Sequence, residues 1–145
     1  MNFPKCSKAS KDKIVSVQEN GRTFIVENPN RATVYKIIID GCLINDRRER
    51  CDYLVECYTT CNWAIFVELK GSDIKKAVSQ LAKTIGYLSN RHKVYKKACH
   101  IVASRVPKAG PATQVLKAEF AKKYSTLLYV GTQQVRISLS KPPYF

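Results

Sequence analysis

Three residues in the middle of the chain, Asp52, Glu68 and Lys70, are of types that can bind a divalent cation and activate water. Their spacing brings them together. Cys51-Asp52-Tyr53-Leu54-Val55-Glu56-Cys57 and Trp63-Ala64-Ile65-Phe66-Val67-Glu68-Leu69-Lys70 both read as β-strands, separated by a short polar turn from Tyr58 to Asn62. An antiparallel hairpin centred on Thr60 places Asp52 directly opposite Glu68. Alternation then gathers Tyr53, Val55, Ile65, Val67 and Leu69 on one apolar face and leaves Asp52, Glu68 and Lys70 at one end of the other. Two carboxylates opposed across strands repel each other. A divalent metal with Lys70 beside it removes that penalty, so the pattern predicts a metal site. A solvated strand end with a surface ion pair is the plainer alternative for Glu68 and Lys70. The argument depends on register, because a slip of one residue sends one carboxylate to the core face.

The elements that must position this group follow from periodicity. Gly71-Ser72-Asp73 supplies a helix cap, and Ile74, Ala77, Val78, Leu81, Ile85 and Leu88 recur at spacings of three and four. That spacing predicts an amphipathic helix over 73–88, with Lys75, Lys76, Gln80, Lys83 and Thr84 off its apolar stripe. A basic turn and a buried strand over 98–104 come next, and strand, helix, strand in that order predicts a right-handed parallel crossover. Ahead of the central hairpin, β-rich runs at 14–17 and 23–26 flank Asn20-Gly21, a strong hairpin signal. Residues 33–39 read as a strand stopped at Asp40-Gly41, and 45–50 as a charged loop. A second helix near 112–124 and two last strands, 127–130 and 134–139 around Gly131-Thr132, complete the pattern. Residues 1–12, polar and rich in Lys and Ser, read as a flexible basic arm, and 13–145 as one domain. The expected fold class is α/β, a mixed sheet flanked by helices with an N-terminal β-hairpin.

The 145 residues include 25 Lys and Arg against 11 Asp and Glu, a net charge of +14 with histidine neutral. Apolar residues at 45% and charged residues at 25% match an ordinary globular domain, which argues against a disordered basic chain. A charge this high concentrates polyanions, nucleic acid first among them. The lysines are spread along the chain, which predicts a broad basic face; a merely solubilising surface is the plainer reading. No apolar run approaches the roughly 18–20 residues of a membrane span, and the first residues lack the apolar core of a signal peptide. A soluble, cytoplasmic protein without a membrane partner is expected.

Six cysteines are many for such a chain. Only Cys57-x3-Cys61 has zinc-like spacing, and His92 and His100 provide no matching pair, so free and mostly buried thiols are expected. His100 reads as a core histidine, and Trp63 and Tyr53 as packing residues. Glu56 shares the face of Asp52 but lies at the far end of its strand, outside the expected site.

Asp52 upstream, an apolar strand 64–67 ending in Glu68-Leu69-Lys70, and a helix after Gly71 together resemble the PD-(D/E)xK motif. That nuclease superfamily includes type II restriction enzymes and Holliday-junction resolvases. Phe66-Val67-Glu68-Leu69-Lys70-Gly71-Ser72-Asp73, with Ala77 and Gln80-Leu81 after it, is also similar to a group of small uncharacterised bacterial members. The resemblance covers roughly residues 33–104. It implies a restriction-endonuclease-like core and a metal-dependent endonuclease that hydrolyses phosphodiester bonds, in DNA first. It implies Asp52 and Glu68, with the Leu69 carbonyl, as ligands of Mg²⁺ or Mn²⁺. It further implies Lys70 as the group that holds and helps deprotonate the attacking water, and Gln80 at a helix position facing the site. Lys75, Lys76, Arg105 and Lys108 are expected phosphate contacts on charge and position. Many relatives act as dimers, so a homodimer is compatible, and an unrestrained nuclease would be toxic to its host, so a regulatory protein partner is compatible too.

The chain departs from the pattern at three points. Cys51 stands where the motif has Pro. Residues 13–27 read as β, so no preceding helix supplies an acidic residue; Asp40 is the candidate substitute. It lies beside Asp52 if 33–39 pairs with 52–57 about residue 46, although an ordinary turn aspartate is the plainer reading. Relatives with Gln-x3-Tyr on the helix differ from Gln80 followed by Thr84. The alternative function is a catalytically silent basic module, on the same fold, that binds nucleic acid or a protein partner.

Overall fold

A computed structural model of the chain describes residues 1–69, 73–105 and 111–141. The elements in order are α1 (Phe3–Cys6), β1 (Ser7–Ser10), β2 (Ile14–Glu19), β3 (Arg22–Glu27), β4 (Val34–Ile38), β5 (Tyr53–Tyr58) and β6 (Asn62–Glu68). They continue with α2 (Ile74–Tyr87), β7 (Lys96–Ala103), α3 (Pro111–Tyr124), β8 (Leu127–Thr132) and β9 (Gln134–Ser138). The fold is mixed α/β, with two mixed sheets. The larger has the order β1-β4-β5-β6-β7-β8, and the smaller the order β2-β3-β9.

Strand alternation explains the layers. Leu54, Ala64, Phe66, Cys99 and Ile101 project to one side of the large sheet and pack against Ala77, Leu81, Ile85 and Leu88 of α2 and Phe120 of α3. Val55, Ile65, Val67, Ala98 and Val102 project to the other side, against Val15, Val17, Phe24 and Val26 of the small sheet. The central strands are therefore covered on both faces, as their nearly continuous apolar sequences require. The charged strand ends remain at the edges of these layers.

The β2–β3 hairpin turns through Asn20 and Gly21, at φ 50° and 79°, and pairs Glu19 with Arg22. Both turn residues are left-handed, the geometry that matches the twist of the flanking strands. β4, β5 and β6 form an antiparallel meander, and β7 joins β6 in parallel after the α2 crossover. α2 begins at Asp73, whose carboxylate accepts the Lys76 amide at 3.0 Å.

Three expectations need correction. The basic arm expected at residues 1–12 contains α1 and an edge strand, with Ser7–Ser10 of β1 paired to β4. Cys6 and Cys42 form a disulfide that fastens this segment to the turn after β4, so these two are not free thiols. The one mixed sheet expected is two: β8 lies parallel to β7 in the larger, whereas β9 crosses to lie parallel to β3 in the smaller. The switch occurs at Gln133, with φ at 57°, whose amide donates to Ala103 and whose carbonyl accepts from Thr23. Gly131 serves close packing there, since a Cβ would come within 2.5 Å of Val135 Cγ2.

Candidate active site

β5 and β6 pair Tyr53 with Val67 and Leu54 with Phe66, the register centred on Thr60. Continued one step, the ladder sets Asp52 opposite Glu68. Asp52 is 2% exposed and Glu68 0% exposed, so two carboxylates are buried side by side at the end of the central hairpin. The Leu69 amide donates to Asp52 Oδ2 at 2.7 Å, which fixes one carboxylate oxygen against the strand that follows Glu68. Burying two like charges together is costly unless positive charge shares the space.

The start of β5 is held by the helix. Thr84 Oγ1 accepts the Cys51 amide at 2.8 Å and donates to the Gln80 carbonyl at 2.8 Å. Thr84 is fully buried, and its hydroxyl bridges the two elements that flank the carboxylates. The Cys51 thiol is fully buried here, and its pKa is raised first by burial and further by the Glu68 and Asp52 charges. It stays protonated, so this corner offers oxygen donors and no thiolate.

Gln80 is buried on the inner side of α2, with Oε1 lacking a hydrogen-bond partner among the described residues. Lys75 and Lys76 lie exposed in the first turn of the helix, and Arg105 lies exposed just beyond β7. Because β6 and β7 are parallel, with Glu68 beside Ile101, Arg105 leaves the sheet at the same edge as the carboxylates. Lys70 and Lys108 lie outside the described residues.

Asp40 is not the ladder partner of Asp52. β4 and β5 pair Val34 with Cys57 and Ile38 with Tyr53, one residue away from a register about residue 46. Ile39 therefore falls opposite Asp52, and the amides of both Ile39 and Asp40 donate to the Asp52 carbonyl. The Asp40 carboxylate is instead bound by Arg50, at 2.9 Å. Arg50 also donates to the carbonyls of Asp46 and Arg48, so the charged loop is closed on itself.

Thr84 was visible in the sequence as a polar residue four positions after Gln80, but nothing there showed that it would reach Cys51. Glu56, set aside on position, proves to be a buried charge. Arg91 binds it through Nε and Nη2 at 2.9 and 2.7 Å, and His92 Nε2 lies 2.5 Å away. Burial pushes its carboxyl up, but the hydrogen bonds and charges of Arg91 and His92 outweigh that and hold it down at about 2.

Among the described residues, no group of three or more His, Cys, Asp or Glu is placed to hold a metal ion. Asp52 and Glu68 form a two-carboxylate set, and one or two carboxylates are what Mg²⁺ takes when water and phosphate complete its shell. The donors present therefore fit such an ion. No family model, no curated protein and no solved structure matches the chain. No helix among the described residues is long and apolar enough to cross a membrane.

Proposed function

We propose that the protein is a metal-dependent nuclease that hydrolyses phosphodiester bonds, in DNA first. The observation that carries this reading is the buried pair Asp52 and Glu68 at one end of the β5–β6 hairpin. A binding surface has no need of two opposed buried carboxylates, whereas a Mg²⁺ or Mn²⁺ site does. The resemblance of Asp52 and Glu68-Leu69-Lys70 to the PD-(D/E)xK motif points the same way. The antiparallel meander β4–β5–β6, the α2 crossover and parallel β7 form the order that a restriction-endonuclease-like core calls for, and this supports the reading.

In this reading the carboxylates of Asp52 and Glu68, with the Leu69 carbonyl, would hold the cation, while the Leu69 amide keeps Asp52 from turning away. A bound divalent cation supplies Lewis acidity, lowering the pKa of water and countering charge on the phosphate. Lys70 holds the attacking water and assists its deprotonation. Gln80, at a helix position that faces the site in relatives of the motif, would orient water or substrate through its unpaired Oε1. Lys75, Lys76 and Arg105 draw the phosphate backbone to this edge, aided by the +14 net charge.

The test is cleavage of plasmid, single-stranded DNA and RNA in Mg²⁺, Mn²⁺ or EDTA, with Asp52→Asn and Lys70→Ala alongside. Cutting that needs metal and is lost in both variants supports the nuclease. Binding in EDTA with no cutting under any condition would instead favour a silent nucleic-acid-binding module. Equal cutting by wild type and variants would remove these residues from the mechanism.

A further inference from the structure

A second site lies at the opposite end of the same hairpin. There a cavity of about 500 Å³ opens between β4, the β5–β6 turn and the segment ahead of β7. Its volume is that of a small-molecule site, commonly ~300–1,000 Å³. Tyr35, Tyr58 and Tyr95 contribute three phenol rings, Asn62 an amide, and Glu56 with Arg91 an ion pair whose carboxylate is buried and whose guanidinium reaches solvent. Glu56 lies four residues along β5 from Asp52, about 13 Å at ~3.3 Å per residue, so this group is separate from the carboxylate site.

The chemistry of the lining narrows the ligand. Arg91 turns Nε and Nη2 to Glu56, and its guanidinium lies 3.6 Å from the centre of the Phe3 ring. That leaves Nη1 as the donor not engaged with Glu56. An anion is disfavoured, because the Glu56 carboxylate already neutralises the nearest positive charge. A quaternary ammonium is disfavoured as well: the carboxylate is committed to Arg91 and His92, and a chain of net charge +14 repels cations.

A flat heteroaromatic ring with donors and acceptors on its edge meets what remains. Tyr58 is 63% exposed and Tyr35 45% exposed, so neither ring is consumed by core packing. Tyr95 is fixed by His92, with ring centroids 4.8 Å apart at 65°. Aromatic side chains stack on any base, and amide groups can bond to base edges. We propose that this cavity binds the base of an unpaired nucleotide, stacked on Tyr58 and Tyr35, with Asn62 and Arg91 Nη1 bonding to its edge. The base can come from a free nucleotide or from a strand, and the positive field of the chain attracts the phosphate of either. The inference does not depend on the nuclease reading.

The test is made in EDTA with the full chain, so that cleavage plays no part. AMP, GMP, CMP and UMP are titrated calorimetrically beside ribose 5-phosphate, which has the phosphate but no base. A labelled single strand and its duplex are compared by fluorescence anisotropy. Binding of nucleotides but not of ribose 5-phosphate assigns a free nucleotide. Binding of the single strand in preference to duplex, with mononucleotides silent, assigns an unpaired base within a strand. In either case Tyr58→Ala should weaken binding about tenfold or more, and Tyr58→Phe should leave it near wild type. The exposure of Tyr58 makes misfolding an unsuitable explanation for a loss. Ribose 5-phosphate binding as well as the nucleotides do, silent mononucleotides together with no preference for single strand, or indifference to Tyr58→Ala would overturn the proposal.

Discussion

Thr84 accepts the amide proton of Cys51 at 2.8 Å and returns its own to the carbonyl of Gln80, one turn earlier on α2. A single buried hydroxyl therefore ties the helix to the residue immediately before Asp52. The helix carries Gln80 and the strand carries the carboxylate, so their relative placement depends on this bridge. The off-stripe position of Thr84 is explained by this contact.

Replacing Thr84 with Val keeps the shape and removes both bonds. The buried Cys51 amide then lacks an acceptor, a loss of about 1–3 kcal/mol. Urea unfolding should show that loss, and Thr84→Ser should recover most of it. A Thr84→Val protein as stable as wild type would mean that the bridge contributes little.

The central hairpin was legible in the sequence because its turn is short. A symmetric loop between two alternating strands leaves one register that keeps Val55, Ile65 and Val67 together, and that register sets Asp52 against Glu68. The β4–β5 register was not legible in the same way. The segment between those strands folds on itself through Asp40, Arg50 and Asp46, so its midpoint says nothing about pairing. The two strands after α3 look alike in sequence, yet a positive φ at Gln133 sends the second to another sheet. Cys6 and Cys42 gave no signal either, since spacing cannot tell which cysteines meet. Glu56 was read correctly as remote from Asp52, but burial beside Arg91 could not be read from a strand pattern.

Divalent metal should stabilise the folded protein if Asp52 and Glu68 hold it. At about one hundred times its Kd a ligand that binds only the folded chain adds about 2.7 kcal/mol. Thermal unfolding in Mn²⁺ against EDTA should therefore show a rise in Tm for the wild type. The rise should vanish in Asp52→Asn and in Glu68→Gln. An equal rise in all three proteins would place the metal elsewhere.

Acidification should destabilise the chain in two stages. His100 is buried against Tyr129 and Phe24, with ring centroids 5.0 and 4.8 Å away, and burial holds its imidazole down at about 3. The unfolded chain takes up that proton near pH 6.5, so stability falls by up to ~1.4 kcal/mol per pH unit as the pH drops from about 6.5 toward 3. Glu56, held at about 2, contributes fully above its unfolded value near 4.3–4.5 and loses that contribution as the pH falls from there toward 2. Urea midpoints at pH 7, 5.5 and 4.5 should therefore decline, and His100→Gln should flatten that upper range. A decline unchanged in His100→Gln would assign the upper stage to another group.

Reduction should loosen the N-terminal segment. The Cys6–Cys42 bond spans 36 residues of sequence and holds α1 and β1 against the turn after β4. Closing a loop of that length limits the unfolded chain by about 3–4 kcal/mol in the chain-entropy account. Dithiothreitol should lower stability by that order, and Cys42→Ser should match the reduced protein and ignore further reductant. Thiol titration of the denatured, unreduced chain should find the four remaining cysteines, Cys51, Cys57, Cys61 and Cys99. Six reactive thiols, or a stability indifferent to reductant, would remove the bond from the account. Because Phe3 covers the Arg91 guanidinium at 3.6 Å, the same reduction should also raise the solvent exposure of that guanidinium, which its rate of modification by phenylglyoxal can follow.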